Sequence, residues 1–98
     1  MFVHLAVHYP KPEHAADVLA SMHRADEAAR GAAGLIQMGA WTDAASDRLV
    51  GLAIWDSRES FESAAPGIFA VVAGDPFGEW CTQPPDSFHL SPAEGHPG

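Results

Sequence analysis

Residues 2–9 read as a single strand with two unlike faces, and this alternation constrains the fold more than any other stretch of the chain. Val3, Leu5, Val7 and Tyr9 fall on one side, while Phe2, His4, Ala6 and His8 fall on the other, because successive strand side chains point in opposite directions. The first row is apolar throughout and is expected to face the helices and the core. The second begins apolar but carries two imidazoles, a pattern suited to a partly wet cavity or an interface.

The remaining elements follow from periodicity and punctuation. Pro10 and Pro12 end the strand, after which Ala15, Val18, Leu19, Met22 and Ala29 recur at helical spacing to about Arg30, with Asp17, Arg24, Asp26 and Glu27 on the outer side. Gly31 and Gly34 stop this helix. Residues 35–42 and 48–55 are strand-like, and the polar run from Asp43 to Asp47 suits a hairpin loop between them. Asp56 or Ser57 can cap a second helix, with Glu59 at the capping-box distance from Asp56. Its buried stripe is Phe61, Ala64, Ala65, Ile68, Phe69 and Val72, and Pro66 is expected to kink or split it near Ala65. Residues 77–82 suit one helical turn that places Phe77 and Trp80 over the edge of the core, and a last strand follows at about 87–90. The order β-α-β-β-α-β predicts an α+β, ferredoxin-like domain over residues 1–90, with a four-stranded antiparallel sheet, both helices on one face, and a loose tail at 91–98.

Composition narrows the class. At 98 residues the chain suits one domain, which buries only about two thirds of its unfolded surface, so association would help it. Five Lys and Arg against thirteen Asp and Glu leave no basic stripe for phosphates, and neither nucleic acid nor an anionic membrane is an expected partner. No apolar run approaches the roughly 20 residues of a membrane span, and no signal-type segment follows Met1, so a cytoplasmic location is expected. Cys81 is the one cysteine and can form no internal disulfide, which makes it a packing thiol before a nucleophile.

His4 and His8 invite a test for a shared metal. On a helix their spacing would bring them together, but on a strand four residues span roughly 13 Å, so the two cannot chelate one ion. No metal site is expected. Ser60 and Ser63 have no adjacent His and no nucleophile elbow, which argues against a serine hydrolase.

The run Leu49-Val50-Gly51-Leu52-Ala53-Ile54-Trp55-Asp56-Ser57-Arg58-Glu59-Ser60-Phe61 resembles the signature of the antibiotic biosynthesis monooxygenase family: an apolar strand ending in Trp, an acidic or polar turn, and a helix with an aromatic or aliphatic residue a few positions on. The resemblance extends over residues 2–90. It implies a homodimer in which two ferredoxin-like sheets meet as a dimeric α/β barrel, each subunit keeping a pocket for a small apolar or aromatic molecule, either between its sheet and its helices or at the barrel interior. Some relatives oxidise aromatic polyketides with no metal or flavin, so no cofactor is expected; others degrade haem. The haem-degrading branch uses a first-strand Asn and a second-helix His, whereas this chain has His4 and His8 on the strand and Ser63-Ala64-Ala65-Pro66 on the helix, so haem binding by that pattern is not expected.

The resemblance makes Trp55 a pocket residue, with Trp41 as an opposite wall or a packing group across the hairpin. Gln37 or Met38 should face the same pocket, depending on register. Cofactor-free oxygenation of a phenol needs a base, and His8 is the first candidate, with His4 further in to orient the substrate or bridge the dimer. On this reading His4, Ala6 and His8 face the barrel made with the second subunit. The alternative is a non-enzymatic homodimer that binds a small ligand or simply assembles, with the histidines as packing residues.

Overall fold

The structure, a computed structural model, describes residues 1–97. Strand β1 is Phe2–His8, helix α1 is Ala15–Ala29, strands β2 and β3 are Leu35–Thr42 and Leu49–Trp55, helix α2 is Arg58–Ala70, the short helix α3 is Phe77–Trp80, and strand β4 is Asp86–Leu90. A single 3-10 turn, Pro12–His14, leads into α1. All strand pairs are antiparallel, in the order β2-β3-β1-β4, so the first strand is central and the last is an edge. This is the ferredoxin-like arrangement expected from the element order. Among the described residues, no helix is long and apolar enough to cross a membrane.

Local chemistry sets the boundaries. Gly34 has φ of +84°, where a side chain would be strained, and a Cβ there would collide with the side chains of Ser60 and Asp56. Its carbonyl accepts the Asp56 amide at 2.8 Å, which closes the start of β2 against the end of β3. Helix α2 is capped by Ser57, whose hydroxyl accepts the Ser60 amide at 3.1 Å, so Ser60 rather than Glu59 stands at the third helical position. Of the two outcomes expected at Pro66, the split does not occur: α2 is one helix from Arg58 to Ala70. Phe61 and Ile68, buried on either side of Pro66, hold both halves of the helix on the core, and the missing amide costs one hydrogen bond without ending the helix.

Register overturns the expected assignment of faces. Phe2, His4, Ala6 and His8 lie opposite Trp55, Ala53, Gly51 and Leu49, and it is this row that faces the helices. Phe2 and Trp55 are both buried in the core with Phe61, Ala25 and Ala29. Val3, Leu5 and Val7 sit beside Ile54, Leu52 and Val50 on the opposite face, which carries no helix. The physical reason lies in side-chain volume. Ala6, Gly51 and Ala53 give α1 room to approach the sheet, whereas the larger aliphatic row forms a flat apolar surface of the kind that packs on another sheet.

Candidate functional site

An apolar cleft of about 880 Å³ lies between the helices and the β1–β4 half of the sheet. It exists because the small residues Ala6 on β1, Ala25 on α1 and Ala65 on α2 leave space where larger ones would have closed the layer. From α2, Phe61 and Phe69 supply aromatic walls, and Phe69 remains 40% exposed although it belongs to the apolar stripe. The stripe is therefore divided, with Ile68 buried in the core, Phe61 buried between core and cleft, and Phe69 on the cleft.

Both strand histidines reach this cleft. The His8 ring stacks on Phe77 with centroids 5.5 Å apart, and its Nδ1 is buried without a hydrogen-bond partner. His4 lies over Phe61, centroids 5.0 Å apart, and its Nε2 is 3.1 Å from the Ser87 hydroxyl. His89 on β4 stands directly opposite His4, with ring centroids 5.2 Å apart. His89 and Ser87 were not singled out as site residues from the sequence. Their signal was the pairing of β4 alongside β1, which places residues 87 and 89 on the same face as residues 6 and 4.

The tryptophans and the β2 residues are placed differently. Trp55 is 1% exposed and lies in the core, edge-on to Phe61, so it stands behind the cleft rather than on its surface. Trp41 pairs with Val50 on the helix-free face and is 53% exposed, which rules out a wall opposite Trp55. The register also decides between the two β2 candidates. Met38, opposite Ala53, points to the helix side and shares a recess of about 70 Å³ with His4 and His8, whereas Gln37, opposite Ile54, belongs to the other face.

No family model matches this chain, and no curated protein does. Solved structures do match it. Rv0793 from Mycobacterium tuberculosis superposes with a TM-score of 0.80 at 20% identity over 94% of each chain. A protein described as an antibiotic biosynthesis monooxygenase gives a TM-score of 0.76 at 16% identity, covering 95% of this chain and 99% of its own. MhuD, carrying two manganese protoporphyrin IX groups per active site, gives 0.72 at 15% identity over 93% of each chain. This chain has the fold of the antibiotic biosynthesis monooxygenases. Within that shared fold, its α2 contains no histidine or cysteine, so that helix offers no imidazole or thiolate to a porphyrin metal.

The electrostatics of the cleft favour neutral imidazoles. Burial lowers the pKa of His4 below its ordinary value of 6.5, with further lowering from His89 and then His8. Burial alone does the same for His8. The two carboxylates on the cleft are already engaged, Glu62 by Arg58 Nε at 2.8 Å and Asp75 by the Ser21 hydroxyl at 2.6 Å and by Arg24. The Ser21 hydrogen bond, followed by Arg24, holds Asp75 below the usual carboxylate range. Cys81 lies outside the cleft, and burial pushes its thiol upward, away from the thiolate a nucleophile needs.

A stability consequence follows with a definite sign. His4 and His8 bind protons more weakly folded than unfolded, so below about pH 6.5 the unfolded chain takes up protons that the fold refuses. Stability should be level above that pH and fall as the pH drops through the window beneath it. Denaturant melts between about pH 7.5 and 5.5 should show this loss, and the double variant His4→Gln, His8→Gln should flatten the slope. A wild-type protein equally stable at both ends would contradict the assignment of neutral, half-buried rings.

Proposed function

We propose that this chain is a monooxygenase that uses no bound cofactor and acts on a small, flat phenolic molecule held in the cleft. The observation that carries this reading is His8: an imidazole held neutral, stacked on Phe77, at an apolar cavity large enough for a fused-ring ligand. A neutral imidazole can take the phenolic proton, and the apolar walls disfavour water around the phenolate and raise its tendency to give up an electron. Dioxygen then accepts electrons from the phenolate ring and bonds to a ring carbon. Loss of water from the hydroperoxide leaves a quinone, so phenol plus dioxygen balances as quinone plus water with no outside reductant. His4, tied to Ser87, orients the ring at the other end of the cleft.

Oxygen uptake across a panel of hydroxylated naphthalenes, with mass spectrometry of the product, tests this reading. Uptake with a quinone product is expected, and Ala65→Trp, which fills the cleft from α2, should abolish it with little change in melting temperature. Saturable binding without uptake would leave a ligand-binding protein and remove the enzyme.

We also propose that the protein works as a homodimer, with the second copy covering the helix-free sheet face. That face carries Val3, Leu5, Val50, Leu52 and Ile54 at its centre, and Trp41, Phe88 and Leu90 remain 43–53% exposed around them. Sedimentation should give a dimer at micromolar concentration, and Leu52→Asp should give a folded monomer, because a carboxylate cannot be buried there unpaired. A wild-type monomer would overturn this.

A further inference from the structure

The polar groups of the cleft are not spread evenly. Most of its lining is apolar, from alanine, phenylalanine, proline, methionine and valine, but on the β4 side two imidazoles and a hydroxyl converge from adjacent strands. His4 and His89 are directly opposed in the β1–β4 ladder, and Ser87 follows on the same face with its hydroxyl 3.1 Å from His4. Phe61 backs both rings, its centroid 5.0 Å from His4 and 5.3 Å from His89.

The titratable groups lining the cleft are His4, His8, His89, Glu62 and Asp75. The two carboxylates are bound to Arg58 and Arg24, and among the described residues neither His4 nor His89 is bonded to a carboxylate. The histidines are thus the groups free to offer a positive charge or an N–H to something placed in the cleft. With the cleft empty, the nearby His89 opposes protonation of His4. An anion between them would reverse that effect and let both donate charge-assisted hydrogen bonds.

We propose that His4, Ser87 and His89 form an anchor for a carboxylate on the cleft ligand, so that the site selects aromatic carboxylic acids over neutral molecules of the same shape. This rests on the reading that the cleft holds a small aromatic molecule, and it narrows the substrate class. His4 and His8 are four residues apart on β1, roughly 13 Å, a span that suits a fused-ring molecule with its carboxylate at His4 and its phenolic hydroxyl toward His8. His89 is then a specificity-determining residue, with no part in the oxygen chemistry.

Hydroxynaphthoic acid and its methyl ester form a matched pair of probes, with binding followed by fluorescence. At about pH 6 the acid should bind roughly ten- to a hundredfold more tightly than the ester, and this preference should shrink toward about pH 8, where binding the anion must draw a proton onto His4 from a more dilute pool. His89→Gln should bring the ratio close to one by weakening the acid far more than the ester, and His89→Lys should keep the preference at both pH values. Ser87→Ala should weaken the acid alone. In proton NMR, the His4 titration midpoint should move upward when the acid binds and stay in place with the ester. Because His89 is exposed, its replacement leaves the core intact. Equal binding of acid and ester to the wild type, or an acid preference that survives His89→Gln, overturns the anchor while leaving the cleft as a binding site. Binding of neither probe overturns the cleft reading itself, and the anchor with it.

Discussion

Trp55→Ala should lower the stability of the folded chain by about 3–5 kcal/mol, the cost of removing a large buried aromatic and leaving a cavity. The indole is 1% exposed, pairs across the strands with Phe2 and Leu35, and meets Phe61 edge-on at 6.0 Å. A chain of this size holds only about 5–15 kcal/mol in total, so the variant should melt tens of degrees lower or fail to fold. Trp55→Phe should cost much less. The indole N–H has no hydrogen-bond partner, so exchanging it for phenyl forfeits volume without orphaning another group. Thermal melts of the two variants distinguish a core residue from a pocket wall. A wall could be truncated with a loss of about 1 kcal/mol or less and would instead enlarge the cavity. Were Trp55→Ala to melt near the wild type, its assignment to the core would be wrong.

His8→Ala should reduce turnover of a phenolic substrate by about a hundred- to ten-thousandfold near neutral pH while leaving the fold intact. The ring is half-buried and makes no hydrogen bond through Nδ1, so its removal breaks no network. The pH dependence is the sharper readout. A base must be unprotonated to act, and burial holds His8 below its ordinary value of 6.5, so kcat/KM should rise through an acid limb centred under that value and then stay level. The variant should lack this limb. Loss confined to KM would make His8 a binding group, and unchanged turnover would remove it from the mechanism.

The path of the chain was legible because it rests on local rules. Helix α1 follows from the spacing of Val18, Met22 and Ala29, the hairpin from the polar run at Asp43, and the start of α2 from Ser57. At Pro66 helix propensity alone allows a split that the core does not permit. Phe61 and Ile68 anchor α2 on both sides of it, and tertiary packing outweighs one missing amide. The faces of β1 were misread for a related reason. A uniformly apolar row looks like the inside of a single subunit, but here the inner row is the mixed one, because it must leave space for a cavity as well as fill a core.

The candidate site shows the same division between local and long-range information. His4 and His8 were visible as an unusual pair on an apolar strand, and their alternation placed them on one face. The sequence alone also determined that they stand too far apart to share an ion, since that depends only on the rise of a strand. The tertiary structure decided which face that was, brought His89 and Ser87 beside His4, and set Trp55 behind the cavity and Trp41 on the far side of the sheet. Alternation and rise are properties of one strand and can be read from consecutive residues. Which residues meet across a ladder depends on register, and for β1 and β4 that register is set by contacts between opposite ends of the chain.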